Sequence, residues 1–332
     1  MRSYILKRLF LLVPTLLGIT LVTFLIIQLA PGSPIERKLS IEQGLKSQAI
    51  TREIIEETKK LYGLDKPLYV RYLIWVKQIA TLDFGSSYVD HRPVIDKIAE
   101  RLPVTLSLNM LSIFLAYLIA IPIGVLSALR RGGIFDRVVT FSLFALYSIP
   151  SFWMAIILIY FLGGGEHWSL FPTYGIKSPG FEFFPLHLKI LDYLWHIALP
   201  VVCLTYGDLA ALSRYQRGSM LEVLRADFIR TAFAKGLPRR VVILRHALRN
   251  SLISIITIVG AILPAMIGGS VIIESIFSIP GIGKLGFDAV LSRDYPVIMA
   301  ISTISAFLTL IGILVSDILY VLVDPRISFE GR

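Results

Sequence analysis

Residues 213–250 read SRYQRGSMLEVLRADFIRTAFAKGLPRRVVILRHALRN and lie between two long apolar segments. Nine basic residues (Arg214, Arg217, Arg225, Arg230, Lys235, Arg239, Arg240, Arg245 and Arg249) stand here against two acids, Glu222 and Asp227. A short connector this rich in Lys and Arg is retained on the cytoplasmic side of a membrane. Leu221, Leu224 and Phe228 recur at helical spacing, Gly236 sits where a helix would stop, and Pro238 follows. The stretch therefore reads as a helix, a sharp stop and a second helix re-entering the membrane. Such an elbow suits docking onto a partner; a positive-inside loop resting on anionic lipid is the other reading.

Outward from the elbow, apolar spans alternate with polar connectors. The chain has 332 residues, 55% of them hydrophobic, as in a polytopic membrane protein rather than a soluble fold. Its net charge of +10 does not call for nucleic acid, because the basic residues gather beside the spans. Cys203 is the one cysteine, so no intrachain disulfide can form. Residues 9–30 are long enough to cross a core of about 30 Å. They read as a retained first helix rather than a cleaved signal, because Pro31 follows the candidate Ala30. Residues 31–103 are polar but contain amphipathic helices, and a connector of this length escapes the charge rule and can lie outside. Further spans fall at about 104–129, 138–162 (with a kink at Ser148–Ser151), 191–212, 252–277 and 297–322. The fifth is interrupted by Gly260, Pro264, Gly268 and Gly269. With the long connector set aside, the inside segments carry 17 Lys and Arg and the outside ones 4. Six helices with both termini in the cytoplasm satisfy this count.

A resemblance enters at residues 230–236, RTAFAKG. They resemble the Glu-Ala-Ala-x-x-x-Gly signature of binding-protein-dependent ABC importer permeases, with Arg230 and Thr231 in place of the Glu and first Ala, and Ala232 and Gly236 matching. The form is similar to that of the dipeptide/oligopeptide/nickel branch. YGLDKPLYVRY at 62–72 and LDFGSSY at 82–88 are similar to that branch's external segment. ESIFSIPGIGK at 274–284, SRDYPV at 292–297 and the terminal DPRI at 324–327 are similar to its later segments, the tail resembling the subgroup for larger peptides and peptide antibiotics.

The resemblance implies an all-α membrane protein of the type I ABC importer permease fold, located in a bacterial inner membrane. It divides as 1–30, a first helix; 31–103, an external segment; 104–322, a five-helix core; and 323–332, a cytoplasmic tail. The implied partners are a second homologous permease, two ATP-binding cassette subunits carrying ATP and Mg, an extracytoplasmic peptide-binding protein and the lipid bilayer. The loop at about 219–238 would couple to the ATPases, with Arg225, Asp227, Arg230 and Lys235 supplying polar contacts. Thr231 lies in the signature, and Ala232, Ala234 and Gly236 allow close approach.

The chain itself holds no Walker motif, no His-Glu-x-x-His and no Gly-x-Ser-x-Gly elbow, so no catalysis is assigned to it. GIGK at 281–284 lacks P-loop spacing, and DFG at 83–85 stands without the other kinase motifs. An acid inside the bilayer costs about 2.5–3.5 kcal/mol, which marks Asp208, Glu274 and Asp317 as pathway candidates or structural polar contacts. Gly268, Gly269 and Pro264 join them as the broken part of span five. Asp192, His196 and Cys203 share a helix face, but Pro200 intervenes and no second helix offers an obvious His or Cys, so no metal site is assigned. A secondary transporter or channel, and import of a nickel or other metal complex by the same architecture, remain alternatives.

Overall fold

The computed structural model describes residues 2–29, 65–164, 167–259, 266 and 269–323. Its helices are α1 (Arg2–Leu29), α2 (Leu68–Ala80), α3 (Val94–Leu129), α4 (Ile134–Tyr147), α5 (Ser151–Leu162), α6 (Leu186–Val223), α7 (Asp227–Ala234), α8 (Arg239–Val241), α9 (Leu248–Val259), α10 (Val271–Ile276), α11 (Ile282–Ser292) and α12 (Tyr295–Val323). A π-helical stretch, Val242–Ala247, joins α8 to α9. Among the described residues there is no strand, and pairing is limited to two isolated bridges.

Among the described residues four helices are long and apolar enough to cross a bilayer: α1, α3, α6 and α12. The third expected span is instead two helices, α4 and α5, bent by 97°. Pro150 causes the break, because its ring disfavours helical backbone at Ile149. The carbonyl freed at Ile149 accepts the Tyr206 hydroxyl, so the bend leaves no stranded acceptor there. The fifth expected span is represented by α9 and α10. Gly260, Pro264 and Gly268 lie outside the described residues, as do residues 31–64 and the 324–332 tail.

Two compact units divide the chain, Met1–Pro103 with Lys284–Leu310, and Val104–Gly283 with Ile311–Arg332. In the first, α1 buries one stripe, Thr20, Phe24 and Ile27, while Phe10, Val13 and Ile26 stay exposed as lipid-facing residues do. Tyr72 of α2 covers that stripe, its hydroxyl donating to the Leu17 carbonyl at 2.8 Å and its ring lying 5.4 Å from Phe24. Asp294, 2% exposed, accepts the Ser87 hydroxyl and the Tyr88 N–H at 2.9 Å, fastening the 82–91 loop to the start of α12. Lys97 donates to Ser87 Oγ at 3.1 Å and to Asp90 at 2.8 Å.

The second unit packs on small residues. Ala116 and Ala120 of α3 are fully buried against Leu212 of α6 and Ile255 of α9. A Cβ at Gly124 would lie 2.7 Å from both the Gln216 side chain and the Ser213 carbonyl, so only glycine lets α3 and α6 approach this closely. Gln216, fully buried, donates to Ser251 Oγ at 2.9 Å and ties α6 to α9.

Candidate functional site

The elbow is built from the end of α6, the turn at 224–226, α7 and the helix that begins at Arg239. The expected single helix through Leu221, Leu224 and Phe228 is interrupted. α6 ends at Val223, Ala226 is extended (φ −69°, ψ 148°), and α7 begins at Asp227. The turn lets Ile229 and Ala232, one helical step apart, bury at 1% and 7% exposure against Val125, Ala128, Met220, Val242 and Ala247. Phe228, which shares helical spacing with Leu221 and Leu224, is exposed. At the far end Gly236 adopts φ +76°, a left-handed stop that glycine occupies without steric cost, and its N–H donates to the Phe233 carbonyl at 2.9 Å. Pro238, extended at φ −63° and ψ 142°, caps the start of the next helix at Arg239 and disfavours helical backbone at Leu237.

Arg225, Asp227, Arg230, Thr231, Ala234, Lys235 and Gly236 all stand exposed, together with the rings of Phe228 and Phe233. Ala232 does not share that surface. Asp227 and Arg230 pair at 3.4 Å, but both are mostly in solvent and the pair adds little stability. A short helix that exposes two phenylalanines among charged side chains has the composition of an interaction surface.

Beneath the elbow lies a contact that sequence reasoning missed. Asp136 of α4, 4% exposed, accepts Nε and Nη2 of Arg217, each at 2.7 Å, and the Gly132 N–H at 2.9 Å. Gly132 has φ +73°, which turns its N–H toward the carboxylate. The 130–136 connector is thereby clamped to α6 two turns before the elbow. Arg217 had been counted only as a positive-inside charge, and Asp136 not at all. The available signal was a lone acid four residues after a Gly beside an Arg-rich turn.

The membrane acids are placed differently from one another. Glu274 of α10 is 1% exposed and accepts the Thr105 hydroxyl at 3.1 Å, while that hydroxyl accepts the Ile282 N–H at 2.8 Å. Gly269, Gly281 and Gly283 enclose the carboxylate so closely that a Cβ on any of them would press against it. This cradle fastens the 269–283 segment to α3. Asp208 is exposed on α6, and Asp317 is half-buried on α12. Asp192 accepts both the hydroxyl and the N–H of Ser178, at 2.6 and 2.9 Å, and His196 turns Nδ1 back to the Asp192 carbonyl at 2.8 Å. Cys203 is buried among apolar side chains. Among the described residues no three ligand-type side chains converge on a metal position.

Helices long enough to span a bilayer, a proline-broken pair and a basic elbow bearing its own short helix define a polytopic membrane protein. The chain belongs to the family described as binding-protein-dependent transport system inner membrane component, whose model matches residues 120–329, and the N-terminal model of such membrane components matches residues 1–109. It is 45% identical to the oligopeptide transport system permease protein AppB of Bacillus subtilis, over 99% of this chain and all of that one. It is 37% identical to the dipeptide transport system permease protein DppB of Lactococcus lactis, over 98% of this chain and 99% of that one. The peptidoglycan transport system permease protein YejB of Agrobacterium fabrum is 34% identical over the whole of both chains. A chain of the MetNI methionine ABC transporter, solved in inward-facing conformations, superposes with a TM-score of 0.53 at 18% identity. That match covers 69% of this chain and 97% of the other, a likeness of fold. The fold is thus that of an ABC importer permease, and the chain is a membrane-spanning permease subunit.

Proposed function

We propose that this chain forms one half of a pathway through which an ATP-driven importer carries peptides into the cell. The other half is a second, homologous permease, and an extracytoplasmic binding protein delivers the peptide. Two ATPase subunits bind ATP and Mg; this chain performs no catalysis and transmits their movement. The observation that carries the reading is α7, a short helix whose inner face is locked by Ile229 and Ala232 while its outer face offers Phe228, Phe233 and the charges of Arg225, Asp227, Arg230 and Lys235. Thr231, Ala234 and Gly236 complete the seat for one ATPase. ATP can drive transport only through contacts that differ between inward and outward states, and this elbow is where they fall. Both termini and the elbow lie in the cytoplasm.

The pathway is lined by the exposed face of α6 around Asp208 and by the segments near Asp317 and the interrupted span at Pro264, Gly268 and Gly269. Glu274 acts on it by holding the 269–283 segment in place. A peptide's ammonium group is the natural partner for an acid at the pathway wall. Peptide is favoured over a nickel complex because AppB and DppB, which match over nearly the whole chain, are peptide permeases by name.

The test is purification of the tagged chain from native membrane in mild detergent, followed by labelled-peptide uptake in reconstituted vesicles. A second permease, ATPases and ATP-dependent peptide uptake are expected. Purification of the chain alone, with uptake driven by an ion gradient, would replace this reading with a secondary transporter.

A further inference from the structure

A groove of about 600 Å³ runs between α4 (Phe144, Tyr147) and α6 (Arg214, Tyr215, Gly218, Glu222). Its α6 wall follows from helical spacing. Asp208, Ala211, Tyr215, Gly218 and Glu222 recur at steps of three and four, so they share one face of that helix. This is the face of Asp208, and the groove continues it toward the elbow. The other wall is α4, held along α6 by the Asp136–Arg217 pair near one end and the Tyr206–Ile149 bond at the other.

The groove carries one charge of each sign. Arg214 lies over the Phe144 ring, its Cζ 4.4 Å from the centroid, so an aromatic face rather than an acid holds the guanidinium. Neither Arg214 nor Glu222 has an ion-pair partner among the described residues. They stand eight residues apart on α6, a rise of about 12 Å in a helix. An extended chain rises about 3.4 Å per residue, so a peptide of about three or four residues sets its termini at that separation.

The surface between the charges is suited to a peptide body. Tyr147 and Tyr215 are exposed, and their hydroxyls bond to nothing among the described residues, which leaves them for amide groups. A Cβ on Gly218 would meet no atom within 4 Å, so this glycine leaves open space instead of serving a close helix contact. A lipid tail or an apolar helix in the groove would cover both charges without meeting either. A short zwitterion with an apolar body meets both.

We infer that this groove is a peptide subsite at the elbow end of the pathway. Arg214 takes the carboxylate of a short peptide, Glu222 its ammonium group, and the two tyrosines its backbone. The inference rests on the peptide-import reading and adds to it a place where the substrate pauses. Both charges remain exposed, which keeps the hold weak enough for release.

Uptake by the complete transporter in vesicles tests this, with a labelled tripeptide bearing free termini and its C-terminal amide. Each variant is compared with the parent for each peptide, so the binding protein's own preference cancels. Arg214→Gln should lower uptake of the free acid about tenfold and that of the amide far less. Gly218→Leu, which fills the groove from a position with open space, should lower uptake of both at unchanged melting temperature and subunit recovery. Equal loss of acid and amide in Arg214→Gln, or parent-level uptake in Gly218→Leu, overturns the assignment. Loss of the second permease from purified Gly218→Leu would make the groove a subunit contact and also overturns it. Should the binding protein reject the amide, Gly218→Cys carries the test, because Cys203 is buried. ATP and peptide should then slow maleimide labelling at position 218, and an unchanged rate overturns the assignment. A parent without ATP-dependent uptake is a separate failure, which removes the import reading and this inference with it.

Discussion

Replacing Asp136 by alanine would remove the anchor beneath the elbow. The carboxylate accepts three N–H groups, two from Arg217 at 2.7 Å and one from Gly132 at 2.9 Å. Removing one partner of a buried ion pair costs about 3–5 kcal/mol, mostly because the other charge is left unpaired. Here the Arg217 side chain is 32% exposed, so water recovers part of that loss. We expect about 2–4 kcal/mol, with Asp136→Asn giving a smaller loss because it keeps one acceptor. The assay is a double-mutant cycle of Asp136→Ala and Arg217→Ala, read by thermal and denaturant unfolding of the detergent-solubilised chain. The account predicts a coupling energy of about 1–3 kcal/mol, with the double variant less damaged than the sum of the singles. It also predicts that ATP-dependent uptake falls further than unfolding explains, because the base of the elbow is loosened. A coupling below about 0.5 kcal/mol, the range of independent sites, would refute the reasoning.

Gly281→Ala should destabilise the chain by about 1–3 kcal/mol or more, since the new methyl meets the Glu274 carboxylate. Adding Glu274→Ala should recover part of that loss on melting, and no recovery would mean the clash lies elsewhere. Gly236→Pro should abolish uptake while leaving membrane insertion intact, because proline cannot adopt φ +76° and has no N–H for the Phe233 carbonyl; normal uptake would remove the elbow from the mechanism. Asp90 yields a pH dependence. Burial alone would raise its pKa, but hydrogen bonds from Lys97, Ser87 and the Arg92 N–H outweigh it and hold the value down to about 2. A depressed carboxylate stabilises the fold above its ordinary pKa of about 4, and that contribution fades as pH falls toward about 2. The melting difference between wild type and Asp90→Asn should therefore be full at neutral pH and shrink below about pH 4; a constant difference would contradict the ion pair.

Fold class was legible because membrane helices announce themselves by length and apolarity. α1, α3, α6 and α12 fall on stretches the hydropathy singled out. Bends were less legible. Ser148–Ser151 was readable as a kink, but neither its 97° angle nor the Tyr206 hydroxyl, more than fifty residues away, that meets the freed Ile149 carbonyl has a local signal. The elbow showed the same division. Gly236 and Pro238 are local signals and carried their positions, whereas Leu221, Leu224 and Phe228 kept helical spacing across a break set by the burial of Ile229 and Ala232. Periodicity records which residues are apolar, not where a helix stops to pack against itself. The Asp136–Arg217 pair joins positions 81 residues apart and the Thr105–Glu274 contact positions 169 apart, and no local pattern encodes either one.

The central claim is that the outer face of α7 seats an ATPase subunit. Its most direct measurement is the amount of ATPase recovered with the tagged chain carrying Phe233→Asp and Arg230→Glu, set beside that chain's own melting temperature. Both positions are exposed, so the fold should be unchanged within about 0.5 kcal/mol. The account predicts that recovery falls at least about tenfold, as for a residue central to an interface, and that uptake is lost with it. Full recovery of ATPase and normal uptake from this variant would contradict the claim.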